Sequence, residues 1–562
     1  MWPAVILVVV QWLAWLALPF FLPDYILQAM LITASCALGI VLWWLILSRA
    51  PWYERIGALV LIVLAVIATK RIVHVSIATG SMGFLLFVMA IPVMSLALVA
   101  AAVISRRLSA GPRRAVIAGT IVLACGLFTL LRTAGATGDF KNDFHWRWTK
   151  TPEERLLAQG DETLATPSAP PATVKADVDW PGFRGPQRNS AVHGVQLKTD
   201  WSASKPVELW RRPVGPGWSS FAVHAGRLFT QEQRGKEELV VCYDLSTGKP
   251  VWRHSDPARF YESVGGPGPR ATPTLSNGRV YALGATGIMN VLDERTGAVI
   301  WSRNAVADTG AKIPGWGISG SPLVVGDMVI VAASGSLVAY ELATGNPKWF
   351  GPKGANSYSS PQLLTINGVQ QIVLMTSTGA TSVALADGKE LWSHSWPSDT
   401  RIMQPAVAAD GELVISVGDG MGGNGTRRIS VKQASGGWNT EERWTSEDLN
   451  ASFTDFVIHK GHVYGFDWGT LACIDVNDGK RKWKSSWRGY GQMVLLPDQD
   501  LLLVLSEKGE LVLAKASPDQ FTELARFKAI EGKTWNHPVL IGDVVLVRND
   551  HEMAAFRLPL AQ

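Results

Sequence analysis

The residues of this chain that could bind a ligand or transfer a proton recur at one position, immediately before a short apolar run. Eight such runs begin at Phe221, Pro273, Pro322, Pro361, Pro405, Asp455, Met493 and Pro538. The residue before each run has a side chain that forms hydrogen bonds, and these residues are Ser220, Thr272, Ser321, Ser360, Gln404, Thr454, Gln492 and His537. Asp455 supplies the acid and His537 the imidazole of these two sets, which makes both residues candidates for a general base.

Eight further side chains lie two residues before these hydrogen-bonding residues. Alternation along an extended chain directs both groups of side chains to the same side. They are Trp218, Arg270, Ser319, Tyr358, Ile402, Ser452, Tyr490 and Trp535. The aromatic members, with Arg270 and Arg401 nearby, could stack on a flat ligand and pair with its anionic groups. The predicted binding residues are therefore Trp218, Arg270, Tyr358, Arg401, Gln404, Tyr490, Trp535 and His537. The alternative is structural: the hydroxyl groups satisfy backbone groups at strand starts, and Pro begins each strand.

The apolar runs belong to a unit that is repeated about eight times in the second two-thirds of the chain. The runs are short and rich in Val, Ile and Leu, which favours strands over helices. The best preserved units continue with an Asp-x-x-Thr-Gly turn and a Trp, as in Asp244–Gly248 followed by Trp252. Successive Trp residues stand roughly 40 to 50 residues apart, which is the length expected of a four-stranded propeller blade.

The two ends of the repeat region complement each other. The last unit, from Asn536 to Arg557, lacks its outer strand, whereas Pro206–Trp210 has the sequence of an outer strand without a blade. Pairing the two segments would close the ring and remove its exposed edges. The sequence therefore predicts an all-β, eight-bladed propeller over residues 179–562.

The repeats resemble the PQQ-enzyme repeat of quinoprotein dehydrogenases and of the BamB-like β-propeller lipoprotein of outer-membrane assembly. The resemblance covers roughly Trp180–Leu558 and implies the quinoprotein-like propeller fold. It also implies two functions of different classes. The favoured one is a binding scaffold for protein, peptide or glycan partners, and the alternative is a PQQ-dependent dehydrogenase that passes electrons to membrane quinone.

The catalytic members of the resembling family use a Ca²⁺ ion bound by Glu and Asn, a nearby catalytic Asp, and usually a pair of adjacent cysteines. In this sequence the cysteines are Cys36, Cys125, Cys242 and Cys473, and none is adjacent to another. None of the three sets of positions given above contains Glu or Asn, and Asn536, between Trp535 and His537, is the one Asn at the predicted strand starts. PQQ is therefore a possible cofactor and no metal ligand is assigned. The expected protein is a binding module, and Asp455 and His537 would act as bases in the alternative.

Residues 1–133 are predicted to form an α-helical membrane domain of about five spans. They contain five apolar stretches, each close to the length of a helix that crosses a bilayer. The stretches are Ala4–Leu22, Tyr25–Leu47, Ile56–Val73, Gly83–Ile104 and Ala115–Leu131. The connections predicted to be cytoplasmic carry Arg49, Arg55, Arg106, Arg107, Arg113 and Arg114. This orientation puts the N-terminus in the cytoplasm and the propeller in the periplasm, anchored in a bacterial inner membrane.

Residues 134–178 are predicted to form a juxtamembrane segment and linker, with a short helix from Pro152 and a Pro-rich stretch at Thr163–Thr173. The formal net charge of +5 is small for 562 residues, and the arginines that would form a basic patch flank the predicted spans. This distribution gives no support to nucleic-acid binding. The expected partners are the membrane and an extracytoplasmic protein or peptide.

Overall fold

The computed structural model describes residues 2–21, 25–139, 141–160, 164, 179–398, 401–408, 410–418 and 425–561, without the side chains of Ile26, Leu27 and Arg488. The chain divides into two compact units. One comprises Met1–Thr149 with Glu262–Gly265, and the other comprises Lys150–Tyr261 with Gly266–Gln562. Apart from Leu164, the predicted Pro-rich linker at Thr163–Thr173 lies outside the described residues.

The first unit contains five helices that are long and apolar enough to cross a membrane, as the sequence predicted. The α-helices of this unit are Trp2–Phe21, Ile26–Leu42, Trp52–Thr69, Val75–Ala78, Gly80–Gly83, Leu85–Ile104 and Ala110–Thr129. A π-helical turn at Trp43–Leu47 extends the second helix and a 3₁₀ turn at Ser105–Arg107 follows the sixth. A two-stranded hairpin of Leu131–Ala136 and Asn142–Trp146 follows.

Two of the five long helices, Trp52–Thr69 and Ala110–Thr129, begin four or five residues earlier than the apolar pattern indicates, because charged residues in their first turns are paired. Glu54 is buried in the helix Trp52–Thr69. Its carboxylate accepts hydrogen bonds from Arg113 Nε at 2.8 Å and from Arg114 Nε at 2.9 Å. Both arginines lie in the helix Ala110–Thr129. An ion pair of this kind offsets the cost of burying a carboxylate. The helices therefore include charged residues that the sequence prediction placed in the connections.

The second unit contains eight four-stranded antiparallel sheets, which are the blades of the predicted propeller. The first strands of several adjacent blades contact one another, which places them on the inside of the ring. From the inside outward, blades 1 to 4 are formed by Ala222–His224, Arg227–Arg234, Glu237–Asp244 and Pro250–Asp256; Thr274–Ser276, Arg279–Leu283, Ile288–Asp293 and Val299–Asn304; Leu323–Val325, Met328–Ala333, Ser336–Glu341 and Pro347–Phe350; and Gln362–Ile366, Val369–Thr376, Gly379–Ala384 and Glu390–Ser395.

Blades 5 to 8 repeat this order of strands, and blade 8 takes its outer strand from an earlier part of the chain. Their strands are Ala406–Val407, Leu413–Val417, Gly425–Ala434 and Gly437–Ser446; Val457–His459, His462–Asp467, Thr470–Asp475 and Arg481–Arg488; Gly491–Leu496, Leu501–Ser506, Glu510–Lys515 and Glu523–Lys528; and Val539–Ile541, Val544–Arg548, Glu552–Arg557 and Val207–Pro213. Short helices at Pro152–Ala158 and Ala305–Thr309 complete this unit, and a small ladder joins Tyr261–Glu262 to Gly266–Pro267.

The ring closes as the two ends of the repeat region predicted. The strand Val207–Pro213 pairs antiparallel with Glu552–Arg557, from Val207 opposite Arg557 to Pro213 opposite Glu552. Blade 8 is thereby completed by a segment that precedes blade 1. Closure leaves each blade with two neighbours, so that buried apolar side chains pack between sheets around the ring.

The Trp and the turn Gly of the repeat are in contact across the boundary between blades. A Trp on an outer strand covers the turn Gly of the following blade, where an added Cβ would collide with the ring. The pairs are Trp210 with Gly248, Trp252 with Gly297, Trp301 with Gly345, Trp349 with Gly388, and Trp444 with Gly479. In each of these pairs the indole N–H also donates to a backbone carbonyl of the next blade. The turn therefore requires Gly for contact between blades as well as for its positive φ.

The inner strands begin close to the predicted positions, and two blades differ by two residues. The strand of blade 6 begins at Val457, whereas the sequence placed its start at Asp455. The strand of blade 7 begins at Gly491, so Gln492 lies inside it. Neither of these blades has the Pro that marks the strand start in most of the other units.

Candidate functional site

The polar residues before the inner strands form a belt of hydrogen bonds that joins neighbouring blades. The backbone N–H of Ser220 donates to Thr272 Oγ1 at 2.9 Å, and the N–H of Thr272 donates to Ser321 Oγ at 3.0 Å. The N–H of Ser321 donates to Ser360 Oγ at 2.9 Å. Each buried hydroxyl thus satisfies a backbone group of the preceding blade, as the structural alternative proposed.

The belt continues through blades 4 to 6 and includes blade 8. The N–H of Ser360 donates to Gln404 Oε1 at 3.0 Å, and the N–H of Gln404 donates to Asp455 Oδ1 at 2.7 Å. The hydroxyl of Ser220 donates to the carbonyl of His537 at 2.6 Å. In blade 6 the belt position therefore belongs to Asp455, one residue later than the Thr454 that the sequence alignment selected.

A segment outside the repeats, Trp180–Leu197, crosses the channel inside the ring. We call it the channel segment. It makes backbone or side-chain hydrogen bonds to the inner strands, or to the residues just before them, in blades 1, 2, 3, 6, 7 and 8. The partners are Val223, Leu275, Pro322, Phe456, Leu495 and His537. These partners belong to six of the eight blades, so the segment links blades across the channel.

The channel segment brings the two candidate bases together. Arg184 donates from Nε to Ser190 Oγ at 2.8 Å, and Ser190 Oγ contacts His537 Nε2 at 2.9 Å. Arg184 Nη1 lies 3.7 Å from Asp455 Oδ1. Arg184 and Ser190 adopt φ of 65° and 60°, a left-handed conformation that few side chains tolerate, and so does Arg188. The three strained residues lie where the segment meets the belt.

Burial governs the electrostatics of these two groups. It lowers the pKa of His537 to about 3, with a further contribution from the nearby Arg184 cation, so the imidazole is neutral at physiological pH. Burial also raises the pKa of Asp455, and Arg184 opposes this shift. Asp455 is 9% exposed and His537 is 5% exposed. Both side chains are thus held by structural partners and shielded from solvent.

Aromatic side chains from blades 1, 6, 7 and 8 form a cluster at the channel mouth above the belt. The ring centroids of Trp218 and Trp535 are 4.8 Å apart, and those of Phe453 and Tyr490 are 4.7 Å apart. Phe453 also lies 5.1 Å from Trp535. The ammonium group of Lys533 sits 4.3 Å from the Trp535 ring and 5.2 Å from the Trp218 ring. We call these five residues the aromatic rim cluster.

Tyr358 and Arg270 belong to a second group at the same mouth. The ring centroids of Tyr358 and Trp316 are 5.0 Å apart. The Tyr358 hydroxyl accepts a hydrogen bond from the backbone N–H of Trp316 at 3.4 Å. The guanidinium of Arg270 donates to Gly266 O at 2.8 Å and lies 5.3 Å from the Phe260 ring. Arg270 is therefore engaged with backbone carbonyls and an aromatic face.

The structure separates the eight predicted binding residues into four environments. Trp218, Tyr490 and Trp535 meet in the aromatic rim cluster, while Tyr358 and Arg270 lie in the second group. Gln404 and His537 are buried in the belt. Arg401 is buried between blades 4 and 5, where its Nε donates to Thr376 O at 2.9 Å.

The alignment missed several residues that shape the site. Phe453, Lys533 and Trp316 lie outside the aligned positions, and the channel segment lies outside the repeats. A signal for the segment is present in the run Trp180–Arg188, which combines a Trp, two Arg, two Gly and two Pro and lacks the repeat pattern. Lys533 stands two residues before Trp535, so strand alternation could have placed it on the same side.

The donor groups at the belt do not fit a calcium-bound quinone. Asp455, the carboxylate at the belt, already accepts the Gln404 N–H and faces Arg184. Within the described ranges, no three His, Cys, Asp or Glu side chains are placed to hold a metal ion. All four cysteines are buried free thiols, and burial raises the pKa of Cys473 to about 12. The geometry thus provides a structural belt and an aromatic mouth.

The fold and its repeats define a class of protein, the eight-bladed propeller with PQQ-like blades. The repeat family described as outer membrane protein assembly factor BamB matches residues 202–360 and 311–485, which together span half of the chain. The chain belongs to this family.

Two curated relatives match shorter stretches. Tetrathionate hydrolase of Acidithiobacillus ferrooxidans is 27% identical over 162 residues, which cover 26% of this chain and 31% of that protein. The outer membrane protein assembly factor BamB of Shewanella oneidensis is 27% identical over 155 residues, which cover 26% of this chain and 36% of that protein. The matched stretches thus span about a third of the length of these relatives.

Solved structures share the fold at low sequence identity. A quinohemoprotein alcohol dehydrogenase from Pseudomonas putida has a TM-score of 0.50 and 13% identity, covering 68% of this chain and 81% of that chain. The crystal structure of BamB from Moraxella catarrhalis has a TM-score of 0.47 and 13% identity, covering 63% of this chain and 100% of that chain. At this level of identity the likeness concerns the fold alone.

Proposed function

We propose that this protein is a membrane-anchored, extracytoplasmic scaffold whose propeller mouth binds a protein, peptide or glycan partner without catalysing a reaction. The observation that carries the proposal is the aromatic rim cluster. Trp218, Phe453 and Trp535 are partly exposed there, and Lys533 lies against two of the rings. Large aromatic side chains beside a cation are typical of the centre of a binding interface.

The contrast between mouth and belt supports binding over catalysis. A general base must reach the proton that it removes. Asp455 and His537 instead hold neighbouring blades and the channel segment together, as their contacts with Gln404, Arg184 and Ser190 indicate. The ligand-accessible side chains lie above them, at the mouth. The alternative, a PQQ-dependent dehydrogenase, draws on the family resemblance.

The proposed layout places the membrane domain at residues 1–133, the juxtamembrane segment and linker at 134–178, and the propeller at 179–562. The five long apolar helices support anchoring in a bacterial inner membrane. The arginines at 49–55 and 106–114, in and beside the two connections, favour a cytoplasmic location for both, and therefore for the N-terminus. With five spans, the propeller would lie in the periplasm.

Site-specific photo-crosslinking of the full chain in its native membrane tests the scaffold. A benzophenone amino acid is placed at Trp218, at Trp535 and, as control, at Val299, an exposed position on the outer strand of blade 2. We expect one shared partner at the two rim positions, no such product at position 299, and at least a fivefold loss with Lys533→Glu. Equal products at all three positions would contradict the proposal.

A cofactor titration tests the alternative. The full chain in detergent is titrated with PQQ and Ca²⁺ by calorimetry and assayed with alcohols, aldoses and an artificial electron acceptor. The scaffold predicts neither saturable binding nor turnover. Saturable binding with turnover that is lost in Asp455→Ala or His537→Ala would establish the dehydrogenase instead.

A further inference from the structure

A buried guanidinium between blades 4 and 5 lacks part of its hydrogen bonding. Arg401 is 1% exposed and uses Nε to donate to Thr376 O. Its Nη1 and Nη2 are buried and have no hydrogen-bond partner within the described part of the chain. The buried hydroxyl of Ser398, three residues earlier, has none there either. A buried cation normally has a counter-charge, and buried donors normally have acceptors.

The charged side chains described around Arg401 do not compensate its charge. The Trp396 ring lies between two guanidinium groups, 5.3 Å from Arg401 Cζ and 4.3 Å from Arg427 Cζ. Arg427 is already paired, because its Nη2 lies 3.1 Å from Glu442 Oε2 and its Nη1 lies 3.2 Å from His394 Nε2. Since Arg427 donates to its Nε2, His394 is neutral. The four described side chains Arg401, Arg427, Glu442 and His394 therefore carry one net positive charge, which is on Arg401.

Arg401 remains a cation despite its surroundings. Burial and then the nearby Arg427 lower the pKa of Arg401 to about 10, which still leaves the guanidinium protonated at neutral pH. The unpaired Nη1 and Nη2 groups form a planar fork that matches two oxygens of one acceptor. A single negative charge would complete the electrostatics of the group.

We propose that Arg401 is the binding site for a carboxylate group, presented by an acidic side chain or the C-terminus of a peptide at the propeller mouth. The proposal rests on the scaffold function and names the chemistry of its partner. A carboxylate supplies two coplanar oxygens for the Arg401 fork and one negative charge, and the Ser398 hydroxyl can donate to the same group. A phosphate dianion would leave one negative charge without compensation.

Two hydrogen bonds connect Arg401 to neighbouring parts of the propeller. The carbonyl of Arg401 accepts the N–H of Tyr358, which places the site beside the second aromatic group of the mouth. Thr376, whose carbonyl accepts from Arg401, also lines a cavity of about 370 Å³ between blades 3 and 4. This volume is within the range of pockets that bind small ligands. Pro397, next to Ser398, is exposed.

Stabilisation of the full chain by small carboxylates tests the site. The unfolding midpoint of the detergent-solubilised protein is measured in sodium acetate, sodium chloride and sodium phosphate at equal ionic strength. We expect a saturable rise in acetate, a smaller rise in phosphate and none in chloride. Arg401→Met should abolish the acetate response, and Arg401→Lys, which keeps the charge but loses the fork, should weaken apparent acetate binding at least tenfold.

Controls make each outcome decisive. Arg303→Met removes a partly exposed arginine that pairs with Asp308 and should leave the acetate response unchanged. An acetate response in Arg401→Met equal to that of the wild type, or no saturable response in the wild type, would overturn the site. If Arg401→Met does not fold, the comparison of Arg401→Lys with Arg303→Met carries the same test.

The site and the scaffold function can fail separately. An Arg401-dependent acetate response without a shared crosslink at Trp218 and Trp535 would retain the carboxylate site and reject the scaffold. A shared crosslink with an acetate response that is independent of Arg401 would retain the scaffold and reject the site. Both positive results would support a partner with an acidic group.

Discussion

The backbone N–H of Gln404 donates to a carboxylate oxygen of Asp455 at 2.7 Å, across the boundary between blades 5 and 6. The same carboxylate faces Arg184 of the channel segment. One side chain therefore joins two blades to each other and to the segment inside the ring. This double role explains why an acid occupies a position where most other blades carry a hydroxyl or an amide.

Two substitutions of Asp455 should destabilise the propeller to different extents. Asp455→Asn keeps an acceptor for Gln404 but removes the charge that faces Arg184, at an expected cost of about 1 to 2 kcal/mol. Asp455→Leu also leaves the buried N–H without a partner, and should cost about 3 to 5 kcal/mol. Chemical unfolding followed by Trp fluorescence measures both. Equal stability of the two variants would show that the Gln404 contact contributes nothing.

The contact between Trp and turn Gly can be tested with a matched pair of substitutions. Gly297 has φ of 73°, and an added Cβ would lie 2.5 Å from the Trp252 ring. Gly278 in the same blade has φ of 70° but no atom within 4 Å of such a Cβ. Gly278→Ala should cost about 1 kcal/mol, and Gly297→Ala about 1 to 3 kcal/mol more. Thermal unfolding measures the difference, and equal losses would refute the packing role.

Stability should fall in acid because of His537. Its pKa is lowered to about 3 in the folded protein and is near 6.5 when unfolded, so the unfolded state binds more protons between these values. Stability from this group is fully present above pH 6.5 and is lost as the pH falls toward 3. At pH 4.5 the loss should be about 2 to 3 kcal/mol.

The His537→Gln variant isolates this contribution. It retains a hydrogen-bonding side chain for Ser190 and has no proton to bind. The unfolding free energy of the wild type should therefore decrease more steeply than that of the variant between pH 7 and pH 4.5. Parallel pH profiles would show that the imidazole is not the group responsible. Asp455, whose pKa is raised, acts in the opposite direction in both proteins.

Reporter fusions test the proposed topology. A phosphatase that is active only outside the cytoplasm should be active when fused after Thr149 and inactive when fused after Leu108. A fluorescent protein that folds only in the cytoplasm should give the reverse pattern. Exchanging Arg106 and Arg107 for Gln should reduce this contrast if their charge sets the orientation, and Arg113 and Arg114 are kept because they pair with the buried Glu54. Activity at both sites in the native sequence would contradict the five-span layout.

The sequence was sufficient to predict the propeller because its signals are local. Each blade carries its own strands, turn and Trp, and the unpaired ends at Pro206–Trp210 and Asn536–Arg557 indicated how the ring closes. The two-residue differences at Val457 and Gly491 occur in blades without the usual Pro, where the start of the strand has no sequence marker. The earlier start of the helix at Trp52 depends on Glu54 meeting arginines about 60 residues away.

The candidate site was less predictable because its contacts join distant parts of the chain. The channel segment lacks the repeat pattern, and its Ser190 meets His537 across 347 residues. In blade 6, Thr454 and Asp455 are both hydrogen-bonding residues, so an alignment alone could not select the one that enters the belt. The Nη groups of Arg401 lack hydrogen-bond partners among the described residues because of packing between distant parts of the chain, which no local pattern encodes.

The closure of blade 8 also sets an order of events during synthesis. The strand Val207–Pro213 leaves the ribosome before any complete blade, yet its partner Glu552–Arg557 is made more than 330 residues later. Throughout this interval the early strand has an unpaired edge, and the ring cannot form. A chain that stops before Glu552 would keep that edge open to proteases and chaperones. Closure of the ring therefore distinguishes a finished propeller from a truncated one.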